Sequence, residues 1–125
     1  KCIRIFGPRS GMWDGTKVGI AAPPILTKYG WLLLYHGISG HHHKYRVGAV
    51  LLDAKDPTMV LARTADPLFE PEEQYEKEGI VNNVVFPCGM VVRDQSLYIY
   101  YGGADKVVGV ATMSLDILVK ALAWK

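Results

Sequence analysis

Trp31 to Tyr35 reads Trp-Leu-Leu-Leu-Tyr, an unbroken apolar run closed by His36-Gly37. A continuous run of this length suits a strand covered on both faces. Ile25 to Lys28 is a shorter strand, Tyr29-Gly30 supplies a turn, and together they predict a β-hairpin entered from the extended Pro23-Pro24 pair. Tyr45 to Asp53 is the next strand, with Gly48 and Ala49 small enough for a neighbour to come close. Asp56-Pro57 marks a turn, Met59 to Arg63 a fourth, outer strand, and Asp66-Pro67 its end.

The pattern then recurs. Asn83 to Pro87 leads into Cys88-Gly89-Met90-Val91-Val92-Arg93, a turn at Asp94-Gln95, and Ser96 to Gly102. Placing Tyr35-His36-Gly37 on Tyr100-Tyr101-Gly102, an offset of 65 residues, sets Leu32 on Leu97 and Leu34 on Ile99. Val47-Gly48-Ala49 is answered by Val108-Gly109-Val110. Repeated antiparallel units with an aromatic-Gly signature fit a β-propeller, whose blades have four strands. A closed ring needs at least about four blades, so two repeats read as part of one.

The remaining stretches are less regular. Cys2 to Phe6 is strand-like, and Arg9 to Thr16 is turn-rich around Trp13-Asp14. Glu70 to Gly79 is acidic and reads as a solvated excursion between two units. After Ser114, a fitting N-cap, Leu115, Leu118, Val119 and Leu122 recur at helical spacing, leaving a short helix and a returning strand both open to Trp124.

Composition narrows the class. The 125 residues are half hydrophobic and 21% charged, with a net charge of +2. That is a globular balance with no basic concentration that would argue for nucleic acid. No apolar run reaches the length of a membrane span, and the expected setting is cytoplasmic. Cys2 and Cys88 are the only cysteines, in no metal or redox spacing; Cys88, between Pro87 and Gly89, is expected to be a buried thiol. His41, His42 and His43 invite a metal reading. Neighbours on a strand point to opposite faces, however, and no carboxylate or Cys stands beside them, so they read as a solvated loop tip. His36 has two readings: a side chain presented at a strand end for function, or a histidine that caps a core strand with its ring hydrogen-bonded.

Taken together, Trp13 to Gly19, Pro23-Pro24-Ile25, Gly30 to Gly37, Tyr45 to Ala49, Asn83 to Gly89, Tyr100 to Asp105, and Ala111-Thr112 with Leu115-Asp116 resemble glycoside hydrolase family 130, the β-mannoside phosphorylases and related hydrolases. The resemblance runs in order along essentially the whole chain. It implies an all-β, five-bladed propeller with a central funnel for mannose-containing sugars. Of this the chain would supply about two blades of four antiparallel strands: residues 1–22 the end of a preceding blade and a pocket loop, 23–69 one blade, 83–125 the next blade and a C-terminal segment.

The resemblance also implies roles. Lys17, His36 and Tyr45 match positions used around phosphate, Asp105 matches an acid that contacts sugar, and Tyr101, as the repeat partner of His36, would line the same funnel. Arg46, on the opposite side of its strand from Tyr45, reads as structural. Inorganic phosphate would be a co-substrate, with no other cofactor. The proton-donor Asp and the phosphate-clamping arginines of the family find no counterpart here, so the expected partners are a mannoside, phosphate, and either further copies of the chain or a missing N-terminal half. A hydrolase of the same family, and a non-catalytic sugar-binding or structural half-propeller, remain as alternatives.

Overall fold

The computed structural model describes residues 1–40 and 42–125, the His42 side chain excepted. His41, the first of the three consecutive histidines, lies outside the described residues; His43 is exposed near the start of a strand.

Two antiparallel sheets form the molecule. The first holds β1 (Lys17–Ile20), β2 (Ile25–Thr27), β3 (Gly30–Ser39), β4 (His42–Leu52) and β5 (Val60–Arg63). It runs in the order β1-β3-β4-β5, with β2 pairing the first residues of β3. The second runs in chain order through β6 (Val85–Arg93), β7 (Ser96–Gly103) and β8 (Val107–Ser114). A short helix α1 (Gln74–Lys77) lies on the connection between the sheets. After β8 comes α2 (Leu115–Ala121), capped by Ser114 Oγ, which accepts the Ile117 N–H at 3.3 Å. The chain then returns as β9 (Ala123–Trp124) to pair with β5. Helix and returning strand are therefore both present, one after the other.

Period-two patterning makes the layers. Leu32, Leu34, Ala49 and Leu51 face the second sheet and meet its Leu97 and Ile99, with Leu115, Leu118, Val119 and Leu122 closing the layer. The other face of the first sheet, with Leu33, Tyr35, Val50 and Leu52, is covered by Ile5, Phe6 and Trp13. Those residues belong to an N-terminal segment that forms no strand. The strand expected over Cys2 to Phe6 is thus corrected: this segment packs across a sheet face, where it has no ladder to join.

The two sheets share a register, but at an offset of 66 instead of 65. Thr27 and Gly30 close the first two-residue turn, and Arg93 and Ser96 close the second. Tyr35 stands opposite Gly48 and Tyr101 opposite Gly109. In both places the glycine makes room for the ring: a Cβ would fall 2.6 Å from the Tyr35 ring and 2.8 Å from that of Tyr101. Tyr35 is therefore matched by Tyr101, which is 4% exposed, and not by Tyr100, which is 45% exposed. A one-residue slip moves every side chain to the other face. The sequence does not reveal the slip, because Leu32 and Leu97, though they point in opposite directions, are buried in the same layer.

Each matched tyrosine is tied to an acid from outside the sheets. Tyr35 Oη donates to Asp14 Oδ2 at 2.8 Å, and Tyr101 Oη donates to Glu76 Oε1 at 2.5 Å. The residue before each acid is aromatic: Trp13 stacks on Tyr35 with ring centroids 5.6 Å apart, and Tyr75 Oη lies 2.9 Å from Tyr101 Oη. Asp14 is fully buried and paired with Arg9 (2.8 Å) and Arg63 (2.7 Å). Burial alone would raise its pKa, but the Arg9 and Tyr35 hydrogen bonds and the Arg63 charge hold it below the ordinary 3.8. Glu76, only 4% exposed, takes the backbone N–H groups of Glu72 and Glu73 on Oε2. The acidic stretch is not simply a solvated excursion, since one of its carboxylates is a buried anchor.

Candidate functional site at the junction of the two sheets

Strand pairing puts three of the five candidate residues on one face. Gly19 of β1 lies opposite His36 of β3, and Val47 of β4 lies opposite His36 on the other side. Lys17 and Tyr45 are two residues along from Gly19 and Val47, so both point to the side His36 points to. Lys17 Nζ stands 5.9 Å from the Tyr45 ring centroid, and the His36 and Tyr45 rings are 5.4 Å apart. Gly19 has no side chain because the His36 ring occupies that space. Phe86 of β6 completes the cluster, 4.6 Å from His36 and 6.0 Å from Tyr45 between centroids.

His36 is 6% exposed, and its Nδ1 has no hydrogen-bond partner among the described residues. Burial, and then the neighbouring Lys17 charge, push its pKa below the ordinary 6.5. The imidazole is therefore neutral at pH 7, able to donate from one nitrogen and accept at the other. Of the two readings of His36, a ring capped by hydrogen bonds finds no partner for Nδ1 among the described residues.

Beside the cluster lies a cavity of about 310 Å³ lined by Tyr45, Val84, Phe86, Cys88, Gly102 and Asp105, among others. Asp105 reaches it from the β7–β8 turn, where Lys106 N–H donates to Gly103 O at 3.0 Å. Both central residues of that turn have positive φ, 47° at Ala104 and 53° at Asp105. Turns of this hand favour Gly and Asn, and a left-handed Ala costs about 1–2 kcal/mol. The strain sits at the cavity's edge and is offset by the packing of Ala104, which is fully buried.

Tyr101 does not join this group. It points into the interior, with its hydroxyl held by Glu76 and Tyr75, and burial and then the Glu76 acceptor push its pKa well above that of a free tyrosine. The 66-residue register gives the reason: Tyr101 answers Tyr35, and Gly102 takes the place of His36. Cys88 is corrected as well. The β6–β7 register shifts between Pro87 and Gly89, and this bulge turns the thiol out to line the cavity. Arg46 pairs with Glu70 at 2.6 Å on the opposite side from Tyr45, as a structural residue should. Phe86 was missed as a site residue, although an aromatic just before a Pro-Cys-Gly break is the kind of position a bulge exposes.

A fixed cation, a neutral imidazole and a phenol side by side suit an anion such as phosphate. A carboxylate facing an aromatic-lined cavity suits a polyol. The sequence profile described as beta-1,4-mannooligosaccharide phosphorylase matches residues 1–123. The chain belongs to glycoside hydrolase family 130. Among its relatives is a 1,2-beta-oligomannan phosphorylase from Thermoanaerobacter sp. (strain X514), 50% identical over 89% of this chain and 37% of the relative. A beta-1,4-mannooligosaccharide phosphorylase from Ruminococcus albus is 38% identical over 92% of this chain and 35% of its own length. The solved structure of the beta-1,2-mannobiose phosphorylase from Listeria innocua, in complex with beta-1,2-mannobiose, superposes with a TM-score of 0.89 at 42% identity. That match covers 94% of this chain and 33% of the Listeria chain. A structure reported with family 130 hydrolases that target beta-1,2 mannosidic linkages in Candida mannan gives a TM-score of 0.81 at 35% identity, covering 91% of this chain and 34% of that one. This family 130 chain thus spans about a third of the length of the relatives it matches.

Proposed function

We propose that this chain forms part of the substrate pocket of a β-mannoside phosphorylase. The observation that carries the reading is the convergence of Lys17, His36 and Tyr45 on one face, beside a cavity that Asp105 enters from the other sheet. Lys17, with His36 and Tyr45 as neutral partners, holds inorganic phosphate, and Asp105 accepts hydrogen bonds from the mannosyl hydroxyls. A phosphate oxygen attacks the anomeric carbon, the glycosidic C–O bond breaks with inversion, and the leaving oxygen takes a proton. The proton comes from an acid outside these residues, since no carboxylate other than Asp105 lines the cavity among the described residues.

On the same reading the two sheets are neighbouring blades of a five-bladed propeller. The shared register and the face-to-face packing support this, as does the apolar outer face of the second sheet. Tyr100 and Val110 there answer Leu34 and Ala49, which are fully covered in the first sheet, yet they are 45% and 50% exposed. A further sheet, from the rest of the polypeptide or from another copy, covers that face.

The test is to incubate the complete protein that carries this chain with β-1,2-mannobiose, with and without inorganic phosphate. Mannose 1-phosphate formed only with phosphate is the expected result. Free mannose formed at the same rate without phosphate would replace the reading with a hydrolase, to whose relatives the chain is also similar.

A further inference from the structure

The segment between α1 and β6 touches both halves of the pocket, and its contacts have a one-sided logic. At one end, Asn83 O accepts the Tyr45 N–H at 3.1 Å, and Val84 bridges Tyr45 in parallel. At the other, the same segment grips the turn that bears Asp105. Ala104 N–H donates to Val84 O at 2.9 Å, and Val81 N–H donates to Ala104 O at 3.0 Å. Gly79 lies so close to this turn that a Cβ there would fall 2.5 Å from Ala104 O and 2.6 Å from Ala104 Cβ. The segment is itself fastened at its back: Val84 N–H donates to Glu76 O and Asn83 N–H to Lys77 O, both at 3.1 Å. Tyr45 belongs to the first sheet and Asp105 to the second, and both line the same cavity.

We propose that residues 79–84 are a spacer that sets the separation of Tyr45 and Asp105, with Gly79 as a positioning residue for the Asp105 carboxylate. Ala104 and Asp105 both hold positive φ, and within the turn that Lys106 N–H closes on Gly103 O the segment's two hydrogen bonds hold the backbone of Ala104. Added bulk at Gly79 therefore moves the turn it abuts, and with it Asp105, while Lys17, His36 and Tyr45 stay in the strands of the first sheet, Tyr45 meeting the segment only at its far end through Asn83 O. The consequence is directional: sugar recognition changes and phosphate recognition does not. The inference rests on the proposed role of Asp105 as the mannosyl contact.

Gly79→Ala in the complete protein is the direct test, with initial rates at varied β-1,2-mannobiose and varied inorganic phosphate. A displacement of about 1 Å at a substrate contact costs on the order of ten- to a hundredfold, so the mannobiose KM should rise about tenfold or more while the phosphate KM stays within about twofold. Val50→Ala, a deletion beneath the far face of the first sheet, lowers stability without touching the segment and should leave both constants unchanged. Asn82→Ala removes the Oδ1 that accepts the Gly79 N–H at 3.1 Å from an exposed position; it should give a smaller rise in the same constant, and it serves if Gly79→Ala does not fold. Equal rises in both constants, or no rise with either variant, overturn the spacer. Asp105→Ala separates the two ideas: if it leaves mannobiose KM unchanged the role of Asp105 is wrong, and if it raises KM while Gly79→Ala and Asn82→Ala do not, the spacer alone is wrong.

Discussion

If Tyr101 is the counterpart of Tyr35, its hydroxyl is worth far more to stability than that of its neighbour Tyr100. Tyr101→Phe keeps the ring and its contact with Gly109 but removes the donor to Glu76 Oε1. Hydrogen bonds to charged groups contribute about 1.5–3 kcal/mol, and a buried acceptor left without its donor loses its desolvation as well. Glu76 keeps two backbone donors on its other oxygen, and Tyr75 is half-exposed, so water can replace the Tyr75–Tyr101 contact. A loss of about 2 kcal/mol follows. Tyr100→Phe removes a hydroxyl from a solvent-facing ring and should fall within about 0.5 kcal/mol of the parent. Tyr35→Phe should cost about 1–2 kcal/mol, less than Tyr101→Phe, because Arg9 and Arg63 still pair with Asp14. Urea unfolding, read as the shift in midpoint at constant m, resolves these values: for m near 2 kcal/mol/M, Tyr101→Phe moves the midpoint down by about 1 M. A Tyr100→Phe cost above that of Tyr101→Phe would refute the 66-residue register and restore the 65-residue one.

Three further outcomes follow from the same structure. Asp14→Ala leaves two guanidinium groups and the Tyr35 hydroxyl without their common partner and should cost about 3–5 kcal/mol, against less than about 1 kcal/mol for Asp66→Ala at an exposed position; thermal unfolding at pH 7 checks both. Because the folded protein holds His36 below the ordinary 6.5, the unfolded chain takes up the proton first, so stability is full above 6.5 and falls as pH drops below it; urea midpoints from pH 8 to 5 should show this slope, and His36→Asn should remove it. Val108 and Val110 are 83% and 50% exposed on the outer face of the second sheet, so the 125-residue chain alone should self-associate, and Val108→Lys with Val110→Lys should reduce the light-scattering mass.

The candidate residues come from the family resemblance, and strand pairing explains how three of them share a face. Lys17, His36 and Tyr45 lie in different strands, yet pairing through Gly19 and Val47 is enough to set them on one face. For Asp105 the sequence alone offers only a turn residue after Gly102-Gly103, its candidate role comes from the resemblance, and its φ of 53° is not legible in either. What could not be read was the consequence of the bulge at Cys88. A bulge changes which side of a strand faces out, and Pro87-Cys88-Gly89 carries no period that reveals the extra residue. A thiol expected in the core therefore lines the cavity, and Phe86 stands against His36.

The misplaced repeat has a different origin, and it says where the repeated information lies. Alignment by apolar identity pairs Leu with Leu and Tyr with Tyr, but in stacked sheets both inner faces are apolar, so burial alone does not distinguish a face from its opposite. The discriminating residues are outside the strands. Trp13-Asp14 and Tyr75-Glu76 each send a carboxylate to the tyrosine that crosses a glycine, Tyr35 over Gly48 and Tyr101 over Gly109. Aromatic–acid, tyrosine and glycine in that order form a three-point register that hydrophobicity does not contain. Glu76 was hidden because four other glutamates surround it between Glu70 and Glu78, and charge density argues for solvation. Its burial rests on donors that only the fold brings together, Tyr101 Oη on one oxygen and the Glu72 and Glu73 N–H groups on the other, in place of water. A repeat that is stapled by its connectors in this way fixes which face of each sheet turns inward, and hence which side of β3 presents His36.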